Sequence, residues 1–288
     1  MSAADIAVRP PRRGVQMLSR SLSFVGRHLL TVYSLLFFAY LLLPIGVVIA
    51  FSFNNPVGRF NYVWQGFTWN NWKYWDGVPG LRGAIELSLE IALIASIFAT
   101  ILGTLIALAL VRYGFRGRGV TNVLVFLPLS TPEIVLGASL LTLFLNLSFV
   151  TFGFLTILIA HIMFCISFAV VTVKARLIGF DRHLEEAAMD LGANEWVTFR
   201  KVTLPLIAPA ILAALLLCFA ISIDDFVVTY FNSGSATTFP LFVWGAARIG
   251  VPAQVNVIGS AIFVIAVAAM LGNVLIQMRR AKTAAAAA

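Results

Sequence analysis

Asp224 and Asp225 stand side by side in "LLLCFAISIDDFVVTY", a stretch otherwise apolar enough for a lipid bilayer. An ionised acid at the centre of a membrane helix costs about 2.5–3.5 kcal/mol on insertion scales, so two adjacent ones demand a use. On a continuous helix they diverge by about 100°, so both cannot face lipid. The chemistry they offer is electrostatic rather than bond-breaking: a negative lining for a passing cation. The alternatives are a structural pair bonded to neighbouring helices, or a position beside water at the outer end of a span. Glu133, directly after Pro132 in "PLSTPEIVLG", is a third acid in an apolar setting. The proline frees backbone carbonyls beside its carboxylate, and a path or gate role is expected there. Glu86 and Glu90, one turn apart, read as interfacial charges, and His161 as a helix–helix hydrogen-bond former.

No set of side chains suits catalysis. The chain has no G-x-x-x-x-G-K-[ST] phosphate loop, so the sequence offers no nucleotide-phosphate site of that kind. His28, His161 and His183 are too scattered for a metal site. Cys165 and Cys218 lie in apolar runs and read as small buried hydrophobes rather than a disulfide framework.

The elements that must position these acids follow from composition. Of 288 residues, 60% are hydrophobic and only 11% charged, against roughly a quarter charged in soluble folds, so the chain reads as an all-α polytopic membrane protein. Six runs are long enough to cross about 30 Å of hydrocarbon: 29–53, 84–111, 120–147, 153–174, 205–231 and 254–278. Pro44, Pro128, Pro132 and Pro209 are expected to kink or locally open their helices. The first run exceeds the roughly 7–15 residues of a signal-peptide core and is expected to stay as an anchor.

The net charge of +8 reflects orientation rather than nucleic-acid binding. Arg9, Arg12, Arg13, Arg20 and Arg27 precede the first span; Arg112, Arg116 and Arg118 follow the second. Lys174, Arg176, Arg182, Arg200 and Lys201 lie between the fourth and fifth, and Arg279, Arg280 and Lys282 follow the sixth. The opposite side keeps Arg59, Lys73, Arg82 and Arg248, so the positive-inside rule places both termini in the cytoplasm. The layout is then a basic arm over 1–28, a transmembrane domain over 29–280 and a tail over 281–288. Leu18, Leu22, Val25 and Leu29 share a face, which predicts that the arm lies on the inner leaflet. Trp64, Trp69, Trp72 and Trp75 in the first outer loop read as an interfacial aromatic belt or a docking surface.

The cytoplasmic loop 175–204 and its junction carry the most patterned text, "HLEEAAMDLGANEWVTFRKVTLPL". Asp181 can cap a helix beginning at Arg182, whose Leu184, Ala187, Ala188 and Leu191 form one apolar face. Gly192 supplies a left-handed stop, and Asn194 caps a second short helix carrying Trp196 and Phe199 on one side. Pro205 belongs in the first turn of the fifth span. Both short helices are expected to lie parallel to the membrane surface. Small alanines let such a helix enter a groove of another protein, while Glu185, Glu186, Asp190 and Glu195 offer charges to a basic partner. A plain amphipathic connector has the same periodicity.

The spelling goes further. Glu186-Ala187-Ala188, then Gly192, Val202 and Leu204-Pro205 resemble the signature of permease subunits of ATP-binding-cassette importers, with Val202 where isoleucine is usual. "ISIDDFVVTYFNSG", "TTFP", "RIGVPAQVN", "LVRYGFRGRG", "PLSTPEIVLG" and "AHIMFCISFAVVTV" are similar to the second permease of spermidine/putrescine importers. The resemblance implies a type I importer fold in a bacterial inner membrane. It makes Glu185, Glu186, Ala187, Ala188, Asp190, Gly192, Leu204 and Pro205 a coupling segment for the ATPase, and sets Asp224, Asp225 and Glu133 beside the path of a small cationic solute, foremost a polyamine. It implies as partners a second, usually non-identical permease, two ATPases that hold ATP and Mg, an extracytoplasmic binding protein and membrane lipid, with no cofactor in this chain. Other small amines, amino-acid-like solutes or phosphonates are alternative cargoes. A self-sufficient secondary carrier or a membrane scaffold is the rival from another class, although the internal repeat typical of carriers is not visible.

Overall fold

The computed structural model describes residues 13–58, 60–147 and 150–286. In chain order the helices are α1 (Arg13–Ser52), α2 (Asn70–Lys73), α3 (Leu81–Arg112), α4 (Arg118–Ser130), α5 (Glu133–Asn146), α6 (Phe154–Ile178), α7 (His183–Asp190) and α8 (Glu195–Thr198). A π turn (Phe199–Thr203) then leads into α9 (Leu204–Asp224), followed by α10 (Val227–Asn232), α11 (Phe239–Ile249) and α12 (Ala253–Ala286). Among the described residues no strand forms, and the one β-bridge pairs Asn54 with Phe67.

Among the described residues, four stretches are long and apolar enough to cross a membrane: His28–Ser52, Leu81–Arg112, Phe154–Ile178 and Glu195–Asp224. The helices α4 and α5 make a fifth if taken as one broken span. The expected sixth, 254–278, falls in α12, whose side chains are described in full only to Ala268. The arm's proposed apolar face also lies partly outside the described residues: the backbone is helical from Arg13, but the side chains of Leu18, Leu22 and Val25 are not described.

Two compact units form, one from the residues up to Trp75 with those from Pro252, the other from Asp76 to Val251. In the first, α1 packs against α12 and its other faces expose Leu35, Leu36, Phe38 and Leu42, as a lipid-facing helix does. An asparagine cluster closes its end. Asn54 Nδ2 donates to Asn61 Oδ1 and the Val63 carbonyl at 2.6 and 2.7 Å, and Asn71 Nδ2 donates to the carbonyls of Ser52 and Asn54 at 3.0 and 2.7 Å. These bonds fold the 60–75 loop back onto the helix end, where Trp72 stacks on Phe53 and Trp64 and Trp69 remain exposed.

The second unit is built on α3, α6 and α9. Where α3 meets α6, small residues allow close approach: Ala92, Ala95, Ala99, Gly103 and Ala107 on α3 and Ala160 and Ala169 on α6 are buried. Cys165 and Cys218 are free and buried, each Sγ donating to the other's backbone carbonyl, at 3.6 and 3.3 Å.

Two expected spans are interrupted. The 120–147 run is not one kinked helix: α4 and α5 meet at 111°. Pro132 has no N–H to donate and forces Thr131 into extended backbone, so α4 stops at Ser130. Two hydroxyls bond back onto the last turn, Ser130 Oγ to Phe126 O at 3.2 Å and Thr131 Oγ1 to Leu127 O at 2.7 Å, the latter carbonyl also accepting from Thr131 N at 3.0 Å. Pro44, Pro128 and Pro209, by contrast, sit inside helices that run on past them. The 205–231 run also breaks, with α9 ending at Asp224 and Asp225 extended at φ −62°, ψ 122°. The two aspartates therefore do not share a continuous helix, and the 100° divergence expected of them does not apply.

Candidate functional site

Both breaks open onto the same space. A cavity of about 510 Å³ is lined by Pro132, Glu133, Phe164, Phe168, Asp224 and Asp225 among others. The three acids singled out in the sequence, 91 and 92 positions apart at the extremes, thus meet where two helices lose their regularity.

They are not equivalent. Asp225 is 8% exposed, and its Oδ2 accepts from Thr229 N and Thr229 Oγ1, both at 2.8 Å. This is a cap on the start of α10, which is why the chain re-enters helix two residues later. His161 on α6 completes the network: Nδ1 lies 2.7 Å from Ser222 Oγ, Nε2 lies 2.9 Å from Thr229 Oγ1 and 3.3 Å from Asp225 Oδ2. The lone buried histidine is a helix–helix hydrogen-bond former, as its sequence position suggested. Glu133, first residue of α5, and Asp224, last of α9, are exposed to the cavity and make no hydrogen bond or ion pair among the described residues. Two carboxylates therefore stand open, and the third is consumed in holding the break. Glu86 instead pairs with Arg82 at 2.7 Å on the surface of α3.

The polar stretch forms at the other end of α6 and α9. The α7 helix starts at His183, whose N–H donates to Asp181 Oδ1 at 3.0 Å, one residue later than expected. Gly192 has φ +87°, the left-handed stop. Asn194 Oδ1 accepts from Val197 N at 2.8 Å, and the Trp196 and Phe199 rings lie 5.8 Å apart. The second short helix, however, is not separate: α8, the π turn and α9 run on as one helix, Glu195–Asp224, with Pro205 in the first turn of α9. The i→i+5 turn widens the helix without ending it, so this segment is continuous with the span instead of lying apart from it.

Leu184 and Leu191, on the face read as apolar, are exposed, as are Glu186, Ala187 and Asp190, whereas Ala188 and Leu204 are half-buried. Glu186 Oε2 lies 3.1 Å from His183 Nδ1. Glu185 departs from the expectation that it faces a partner. Its Oε1 accepts from Arg112 Nη2 at 2.8 Å and from Thr203 Oγ1 at 2.5 Å, leaving its side chain 16% exposed. Arg112, Thr203 and Thr229 were missed from the sequence. Only Thr229 had a signal, its place four residues after an aspartate at a helix start.

Comparison with known proteins shows the family. Residues 99–280 match the model of the family described as binding-protein-dependent transport system inner membrane component. The chain is 39% identical over 259 residues to the spermidine/putrescine transport system permease protein PotC of Escherichia coli K12, covering 90% of this chain and 97% of that one. It is also 39% identical over 240 residues to the putrescine transport system permease protein PotI of the same strain, covering 80% and 84%. In fold it is similar to a chain of a bacterial ABC transporter involved in the import of the acidic polysaccharide alginate, with a TM-score of 0.63 at 18% identity over 95% of this chain and 99% of that one. A chain of the inward-facing MetNI methionine ABC transporter gives 0.55 at 17% identity, over 68% and 94%. With the family model spanning well over half of its length, the chain belongs to the binding-protein-dependent transport system inner membrane components.

Proposed function

We propose that this chain forms half of the translocation pathway of an importer for a small cationic solute, foremost a polyamine such as spermidine or putrescine. In this reading six spans cross the membrane, with α4 and α5 together as the broken third and α12 as the sixth, and both termini are cytoplasmic. A second permease supplies the other half of the path, and a binding protein delivers solute from outside. Two ATPases, which hold ATP and Mg, grip the 183–206 segment. Their closure moves that segment, the continuous 195–224 helix carries the displacement into the span, and access alternates from one side of the membrane to the other.

The observation that carries the cation reading is the pair of unpartnered carboxylates, Glu133 and Asp224, on one cavity between two helix breaks. Carboxylates left open inside an apolar bundle favour a cation that arrives and leaves over one fixed in place. The relatives named for spermidine and putrescine transport support the choice of polyamine.

The test is uptake by the reconstituted complex with spermidine, putrescine and a neutral polar solute. Glu133→Gln and Asp224→Asn should each slow polyamine uptake while the ATPases remain bound. Unchanged uptake in both variants refutes the cation path.

A further inference from the structure

Arg112 ends α3, and Glu185 lies in the first turn of α7, 73 residues later. Their side chains are 13% and 16% exposed, with N–O contact at 2.8 Å. The same Glu185 oxygen takes the hydroxyl of Thr203, which is buried in the π turn at the head of α9. Two further contacts tie the corner. Arg182 Nη2 donates to the Val111 carbonyl at 3.0 Å, in the last turn of α3, and the Arg112 guanidinium lies 5.1 Å over the Phe180 ring. One carboxylate thus joins three elements: the end of one span, the exposed short helix, and the entry to another span.

We propose that Arg112 and Glu185 are positioning residues for energy coupling, a latch that carries displacement of α7 into α3 as well as α9. The proposal rests on the reading of α7 as the segment gripped by the ATPases. Covalent continuity from α7 reaches α9 through Gly192, a turn with no side chain to stiffen it. The carboxylate bypasses that turn, bonding α7 directly to Thr203 at the head of α9, and the guanidinium extends the same link to α3. The outward face of α7 is left free by this arrangement, because Glu186, Ala187 and Asp190 stay exposed while Glu185 turns in. Binding of a partner and transmission of its movement are therefore assigned to different residues of one helix. Charged, partly buried pairs with two arrangements available are a known means of passing such coupling, provided each partner is held by further contacts.

The test uses the complete complex in lipid nanodiscs and proteoliposomes, with a spermidine-loaded binding protein as the stimulus. Arg112→Gln, which lies outside the 183–206 segment, should retain the ATPases in full and keep basal hydrolysis within about twofold of the parent. Uptake per ATP hydrolysed should fall about tenfold, the size of a typical coupling free energy between sites, and Glu185→Gln should lower coupling to the same extent. The exchange variant R112E/E185R should recover to within about threefold, since the pair is reversed rather than removed. Normal coupling in both single variants overturns the proposal, as does failure of the exchange to recover. Loss of the ATPases from all three variants also overturns it, because the pair would then only hold the fold. A separate arm tests the underlying reading: if Glu186→Arg, on the exposed face, leaves the ATPases bound and coupled, α7 is not gripped there, whatever the latch variants do.

Discussion

His161 on α6 and Asp225 in the break between α9 and α10 face each other at 3.3 Å, both almost wholly buried. Thr229 lies between them, donating to the carboxylate and bonded to the imidazole. The break between α9 and α10 is therefore a built feature, closed by side chains of α6 and α10.

Removing the imidazole should loosen that break. Leaving a buried polar group without its partner costs about 1–3 kcal/mol, so His161→Ala should lower the thermal unfolding midpoint of the detergent-purified chain accordingly. His161→Gln keeps a donor and should recover part of the loss. A midpoint unchanged in both variants contradicts the assignment.

The neighbouring aspartates should respond differently to the same change. Asp225→Asn weakens the cap on α10 and should reduce stability. Asp224→Asn touches no hydrogen bond or ion pair among the described residues and should leave stability within about 0.5 kcal/mol. Its effect should fall on uptake, by roughly ten- to a hundredfold if one hydrogen bond to a charged group is lost at about 1.5–3 kcal/mol. Paired unfolding and uptake measurements on the two variants separate the roles; identical behaviour would argue against two functions.

Two glycines are held for opposite reasons. A Cβ on Gly103 would stand 2.5 Å from the Ala169 Cβ and 3.1 Å from the Val170 nitrogen, so Gly103→Ala must push α3 from α6. Overpacking of this kind costs about 1–3 kcal/mol and should appear as a lower unfolding midpoint, larger still for Gly103→Val. Gly192 has open space around it but φ +87°. Gly192→Ala should cost only about 1–2 kcal/mol, from backbone conformation alone.

Gly192→Pro goes further, because proline cannot adopt that φ and loses the Gly192 N–H bond to Met189 O at 2.9 Å. It should separate ATP hydrolysis from uptake while the chain still inserts in the membrane. Full transport with solute-stimulated hydrolysis in purified complexes of this variant counts against a coupling role for 183–206.

What could be read from the sequence was local. Gly192, the Asn194 cap and Pro205 act on neighbours within four residues, and all three take the conformations their types suggest. The break after Asp224 was missed because an apolar run masked its signal, an aspartate followed four residues later by a threonine that it caps. The bond of Glu185 to Arg112 has no signal in the sequence, because the two lie 73 residues apart and no periodicity connects them. That Glu133 and Asp224 line one cavity was equally hidden: Pro132 announced a bend, but nothing local to it announced an angle of 111°.

The central claim is that this chain moves a cation only when a separate ATPase drives it through the 183–206 segment. ATP-dependent uptake of labelled spermidine into proteoliposomes, with and without the ATPase subunits, tests it most directly. Uptake should need the ATPases, internal ATP and the loaded binding protein together. Spermidine accumulation by the permease alone, driven by an ion gradient, would contradict it.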